Sequence, residues 1–410
     1  VRENKGKWGV VVAAMSIHLS IGSIYAWSVF TKPIMQELKW GLTEVSLAFS
    51  LAILFLGLSA SFSGHLIARI GSKRALLLST MLFTNGMIGT GLAINLESLP
   101  LVYLFFGFLG GIGLGIGYIT PISLVIQLFP TKRGLPSGVA IMGFGLAAVI
   151  ASPVMQTLIL RIGIANTFFF MGIVYFIIMF TASMYISSPK KLEIESGKDV
   201  QREEFPRQLI QTKRFYYLWI LLFLNILCGI AILSIFSPLT QEKFHISAGE
   251  AASLIGVISL FNGFGRLLWS SLSDYIGRPN TYVCLFITQF IVFVFLLIGV
   301  GSPFFYILVS IVMVCYGGGF ASLPAYISDI FGIKQTGIVH GYMLTAWAAA
   351  GLIGPILTSW LRETTGGYTV SLFFFSVFMG VAMILALLLK RDLKRREKKQ
   401  DQTLSSTVNL

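Results

Sequence analysis

The chain has 410 residues, of which 55% are hydrophobic and only 11% charged, with a net charge of +13. A soluble protein of this size would carry about 25% charged residues, so a water-soluble globular fold is excluded. A transmembrane barrel is excluded too, because its strands would be about 10 residues long and alternating.

The first apolar run follows Lys5 and Lys7. It is too long for a signal peptide and lacks a small-residue cleavage site, so it is read as a span. Runs of about 20 apolar residues cross a bilayer. Twelve such runs are predicted, at 8–31, 43–68, 74–95, 99–128, 134–160, 164–187, 215–239, 248–272, 280–300, 303–328, 336–361 and 368–390. The charged stretch 188–214 separates them six and six. The expected organisation is a six-helix half at 1–187, a cytoplasmic loop at 188–214, a second half at 215–390 and a disordered cytoplasmic tail at 391–410. The fold class is all-α, polytopic and membrane-embedded.

Of the 30 Lys and Arg, 24 fall in the two tails and in the loops after even-numbered spans. Five lie on the other side: Lys32, Lys39, Arg161, Lys243 and Arg362. This asymmetry predicts a cell (inner) membrane protein with both termini cytoplasmic. The positive charge is therefore topological, and no nucleic-acid partner is expected. Cys228, Cys284 and Cys315 lie in apolar runs without metal-ligand spacing, so no metal, cofactor or disulfide framework is expected. No phosphate-binding loop or zinc-protease motif is present, which argues against an enzyme and against a self-contained ATP-driven pump.

The thirtieth basic residue is Arg266, inside the eighth span. A central Arg costs roughly 2.5–3.5 kcal/mol on insertion scales, so it is a functional candidate by default. Its planar fork suits a carboxylate. Asn262 is one turn earlier on the same helix face and offers a second donor. The competing possibility is a structural Arg reaching a loop acid such as Asp274 or backbone carbonyls. In the fourth span Tyr118 follows Gly107, Gly110, Gly111, Gly113, Gly115 and Gly117, which are expected to allow close helix approach. His18 is about 15 Å into the first span and titrates in the physiological range. It is the candidate proton-coupling group, against a plain packing role.

The halves repeat. Leu128-Phe129-Pro130-Thr131-Lys132 matches Ile330-Phe331-Gly332-Ile333-Lys334, Pro121 matches Pro324, Pro153 matches Pro355, and Ile70-Gly71 matches Ile276-Gly277. Parallel six-span repeats with a midplane site are a transporter architecture. On these features the chain resembles the major facilitator superfamily. Ser273-Asp274-Tyr275-Ile276-Gly277-Arg278 is similar to that superfamily's signature loop, which implies a gating role for Asp274, Gly277 and Arg278. The first-half copy departs from it, with Ala68 where an acid is usual.

Narrower motifs resemble the monocarboxylate porter family and its bacterial branch of oxalate–formate exchangers. These are Gly22-Ser23-Ile24-Tyr25-Ala26-Trp27, the stretch Phe129 to Gly138, Ser328-Asp329-Ile330-Phe331-Gly332, and Arg266. The resemblance implies a substrate-facing Tyr118, with Tyr25, Tyr316, Phe144 and Phe320 where the branch has aromatics. Ordinary packing is the alternative for each. Leu344 and Trp347 complete the candidate lining. Trp347 stands where the exchangers have a second cation, a Lys. One fixed Arg neutralises one carboxylate, and a spare charge in a low-dielectric cavity is costly, so a small monocarboxylate such as lactate or pyruvate is favoured. The human-type relatives' proton relay does not carry over: Asn262 and Val29 replace its Asp and Lys. The expected function is a monomeric secondary transporter of a monocarboxylate, proton-coupled or exchanging. An oxalate–formate-type antiporter is the alternative, with an anion channel or sensor behind it.

Overall fold

The computed structural model describes residues 2–129, 134–186, 211–332 and 336–408. Most of the central loop, residues 130–133 of the motif at the start of the fifth span, residues 333–335 and the Ala68 side chain lie outside the described parts. Among the described residues there is no strand, and twelve helical segments are long and apolar enough to span a bilayer. In lipid every backbone polar group needs an internal partner, and a helix supplies it within one segment.

Ten spans are single helices: Leu42–Ile70, Ser72–Asn95, Gly134–Ile162, Ile164–Tyr185, Lys213–Phe244, Ala248–Ile276, Arg278–Ile298, Ser302–Phe331, Thr336–Thr365 and Thr369–Val408. Two are irregular. The first runs Arg2–Ile21, tightens into a 3-10 turn at Gly22–Ala26 and resumes at Ser28–Leu38. The fourth begins at Leu99–Val102, widens into a π-helix at Tyr103–Gly110 and continues as Gly111–Leu128. The second and eighth spans end at Gly71 (φ 79°) and Gly277 (φ 81°), in a backbone region that strains any residue with a Cβ.

The tail beyond residue 390, expected to be disordered, is instead helical to Val408. Its Lys, Arg, Leu, Glu and Gln are good helix formers, and they extend a helix already nucleated in the span. Arg214 at the start of the seventh span donates to Asp392 at 2.6 Å and ties this extension to the bundle.

Packing follows the repeat. In the first half the first span lies on the fifth, the second on the fourth and the third on the sixth. In the second half the seventh lies on the eleventh, the eighth on the tenth and the ninth on the twelfth. The halves meet where the fifth span packs on the eighth and the second on the eleventh. The expected close approaches of the fourth span are present. A Cβ on Gly113 would lie 2.5 Å from the Phe83 amide nitrogen, and one on Gly115 would lie 2.3 Å from the Leu56 carbonyl.

Twelve spans put both termini on one face. Among the described residues, the hydrogen bonds between halves lie at mid-depth or toward the opposite face. Ser46 meets Ser359 at 2.6 Å, and Ser152 donates to the Ala252 carbonyl at 2.6 Å. Glu363 accepts from the Thr43 amide at 3.1 Å and from its hydroxyl. On the terminus-bearing side the spans touch through Gly341 beside Ser61 and Gly138 beside Leu267.

Candidate functional site

The eighth span starts with a capping box, in which the Ser247 hydroxyl accepts from the Glu250 amide and the Glu250 carboxylate accepts from the Ser247 amide. Its helix then separates two faces. Val257, Leu260, Phe264 and Leu268 are exposed, as lipid-facing positions should be, while Ser259, Asn262, Gly263 and Arg266 are buried. Gly317 of the tenth span allows the buried face to seat closely, since a Cβ there would lie 2.2 Å from the Asn262 carbonyl.

Arg266 is 6% exposed. Its Cζ lies 6.0 Å from the ring centroid of Phe144 in the first half and 5.6 Å from that of Phe320 in the second. Both rings attract the cation. The hydroxyls of Tyr25, Tyr118 and Tyr316 lie within its electrostatic reach. Tyr25 and Tyr316 share a hydrogen bond of 2.8 Å across the two halves. Arg266 forms none of the ion pairs found among the described residues, and its buried Nε and Nη1 have no hydrogen-bond partner. Asp274 is engaged elsewhere: Arg278 bridges it at 2.5 Å and Asp329 at 3.4 Å, joining the ends of three spans of one half. Asp274 is therefore not the partner of Arg266.

Trp347 closes the ring set. Its centroid is 5.3 Å from Tyr118, 4.9 Å from Phe320 and 6.2 Å from Phe144. Phe144 also meets Tyr25 at 5.0 Å and Tyr118 at 5.4 Å. The buried indole Nε1 of Trp347 has no partner. Tyr25 reaches the cluster from the 3-10 turn, where Gly22 presses on the fifth span; a Cβ on Gly22 would lie 2.4 Å from the Phe144 carbonyl. Leu344 is buried one turn before Trp347 and adds only apolar surface. Asn262 shares the Arg266 face, but its amide sits in the contact between halves. Nδ2 lies 3.5 Å from the Met313 carbonyl, and Oδ1 faces Gly145 without a partner. His18 is fully buried one layer behind the cluster. Its Nε2 is 3.0 Å from the Tyr118 carbonyl and its ring meets the Tyr118 ring at 5.5 Å.

The profile of the Major Facilitator Superfamily matches residues 11–241 and again 218–408. The chain belongs to this superfamily.

Among curated relatives of this superfamily member is the oxalate:formate antiporter of Oxalobacter formigenes, 25% identical, with 89% of this chain and 87% of that protein covered. Monocarboxylate transporter 2 of Meriones unguiculatus is also 25% identical, with 88% and 79% covered. The fold agrees with solved structures. A bacterial homolog of the human lysosomal transporter Spinster superposes with a TM-score of 0.75 at 15% identity, covering 94% of this chain and 97% of that one. As a superfamily member the protein is a membrane transporter, and its relatives handle small organic anions.

Sequence reasoning passed over three groups, two near the centre and one at an end of the bundle. Asn225 and Gln289 are buried amides in the seventh and ninth spans, and Glu363 joins the halves. The signal for the first two was a lone amide in an otherwise apolar span.

Proposed function

We propose that this transporter carries a small monocarboxylate, of the size of lactate or pyruvate, by alternating access, with the carboxylate held on Arg266. The observation that carries the reading is a buried guanidinium at the contact between halves, with Nε and Nη1 unpartnered and aromatic rings on two sides. A guanidinium is a planar fork that a carboxylate oxygen pair matches, and two of its three nitrogens here are free to donate. The indole Nε1 of Trp347 and the hydroxyls of Tyr25, Tyr118 and Tyr316 offer neutral hydrogen bonds without a second charge. One fixed cation among neutral donors selects one negative charge, and six large side chains around it select a small substrate.

Arg266 and Phe320 belong to one half, Tyr25, Tyr118 and Phe144 to the other, so an anion between them contacts both. A bare buried cation opposes closure around it; a bound carboxylate removes that opposition and lets the halves rock. This favours anion exchange, or symport in which the proton arrives separately. With the termini cytoplasmic, the face that carries the hydrogen bonds between halves is the outer one. The name of monocarboxylate transporter 2 supports the substrate class, and that of the oxalate:formate antiporter the wider class of small organic anions.

The test is labelled lactate uptake into proteoliposomes, with and without an imposed pH gradient, for the parent and Arg266→Gln. Saturable uptake with counterflow in the parent, lost in the variant, is the expected result. Undiminished uptake in the variant would overturn the reading, and non-saturating flux without counterflow would indicate a channel. An oxalate–formate-type exchange is the second reading. It is favoured by the absence of any acid paired with Arg266 among the described residues, and it predicts formate counterflow indifferent to the pH gradient.

A further inference from the structure

Three buried polar side chains stand outside the aromatic cluster, and two of them grip it through its backbone. In the first half, His18 of the first span approaches the Tyr118 carbonyl of the fourth span at 3.0 Å. A carbonyl can only accept, so the Nε2 of His18 carries a hydrogen and donates it. In the second half, Asn225 of the seventh span donates Nδ2 to the Tyr316 carbonyl of the tenth span at 3.1 Å. Gln289 of the ninth span donates Nε2 to the Asn225 Oδ1 at 3.0 Å. All three side chains are at most 1% exposed. The tenth span is pressed onto Asn225, since a Cβ on Gly319 would lie 2.6 Å from its Nδ2.

The first and seventh spans are counterparts in the repeat, as are the fourth and tenth. Each half therefore holds the same device, in which its leading span sends a buried polar side chain to the carbonyl of a site tyrosine in its fourth span. The register differs. Tyr118 stands three residues before Pro121, and Tyr316 eight before the matching Pro324. The two tyrosines are thus staggered by about 7.5 Å of helix.

We propose that His18 and Asn225, the latter braced by Gln289, are positioning residues that fix the rotation and height of the fourth and tenth spans, so that the Tyr118 and Tyr316 hydroxyls converge on Arg266. Apolar helix faces slide and rotate with little penalty, whereas a hydrogen bond is directional. Unmaking one in a buried setting leaves a donor unpaired, so the grip holds while the halves move. A helix carbonyl has a second lone pair, so it keeps its own i+4 bond while accepting the side chain. The role concerns the two tyrosines as parts of the carboxylate site, and in that respect it rests on the function proposed above.

The experiment places 3-fluorotyrosine by genetic incorporation at position 118 or 316 of the full chain in nanodiscs, and reads the fluorine resonance without any substrate. His18→Leu should broaden or split the resonance at 118 and leave 316 unchanged, and Asn225→Leu should do the reverse. Gln289→Leu should move the 316 signal in the same direction by less. His18→Gln keeps a donor at the Nε2 position and should retain the parent line at 118. If a Leu variant does not fold, His18→Gln and Gln289→Leu decide, each against the parent. In lactate counterflow, the Leu variants should raise KM about threefold to tenfold, the effect of one such bond, with Vmax within twofold.

Unchanged resonances in folded Leu variants would overturn the proposal. So would a His18→Gln variant that keeps its resonance but loses stimulation by a pH gradient, because Gln lacks a titrating nitrogen and the loss would make His18 the proton carrier. If the parent shows no counterflow of lactate, pyruvate, formate or oxalate, the proposed function falls, while the fluorine signals still decide the positioning role.

Discussion

Arg266 combines burial, two unpartnered donors and two flanking rings, and each feature makes a different substitution informative. Arg266→Lys keeps the charge but loses the planar fork and the stacking surface. It should retain uptake at a KM raised about tenfold, the effect of one charge-assisted hydrogen bond. Arg266→Gln should abolish uptake, so the pair separates charge from geometry in one kinetic series. Trp347→Lys would add a second cation among rings 4.9 to 6.2 Å from the present indole. Oxalate should then compete with lactate uptake where it did not before, and an unchanged oxalate inhibition constant would refute the charge argument for a monocarboxylate. At this scale the sequence was informative because a charge in an apolar run stands out. The aromatic residues could be named from resemblance, but their convergence on one guanidinium could not. Asn225 and Gln289 escaped notice because an uncharged amide barely alters an apolar pattern, and the carbonyls they bind belong to other spans.

Elements were legible where composition alone determines them and illegible where contacts between spans do. Twelve spans and their six-plus-six division follow from the apolar runs and the long charged loop. The breaks in the first and fourth spans do not, since Gly22–Ala26 tightens where Gly22 meets the fifth span, and no periodicity in the first span records that meeting. The helical tail is illegible for a related reason: a run of charges beyond the last span suggests disorder, although its residues propagate a helix well. Gly22→Ala tests the first break. Its Cβ would meet the Phe144 carbonyl at 2.4 Å and the Ala147 methyl at 2.8 Å, both on a neighbouring helix that must shift to admit it. Overpacking of this kind costs about 1–3 kcal/mol. The variant should melt at a lower temperature in detergent and lose lactate uptake, because the turn that presents Tyr25 to Tyr316 is displaced. A melting curve and uptake equal to the parent's would show that the turn does not depend on this contact.

For the whole molecule, the placement of the polar contacts between halves sets what must break in each direction of rocking. Opening the face opposite the termini requires separating Ser46 from Ser359, Ser152 from the Ala252 carbonyl, and Glu363 from Thr43. The last contact is the strongest of the set by type. Glu363 of the eleventh span places a carboxylate against the first turn of the second span, where exposed amides and the helix dipole favour a negative charge. It caps a helix of the other half. Removing it with Glu363→Leu should shift the population toward the state open at that face. The shift can be read with Ser46→Cys, a residue 1% exposed beside Ser359, in a background carrying Cys284→Ser because Cys284 is exposed while Cys228 and Cys315 are buried. A membrane-impermeant maleimide added to that face should label position 46 about twofold to fivefold faster in the Glu363→Leu variant, as expected for loss of an exposed negative charge at a helix N-terminus. Equal rates would mean that apolar packing between the second and eleventh spans, where Gly57 lies against Ala348, holds the face closed alone. Labelling of intact cells by the same reagent also tests orientation. Position 46 lies near the end of the second span away from the termini, so reaction from outside requires both termini to be cytoplasmic, as the Lys and Arg distribution predicts.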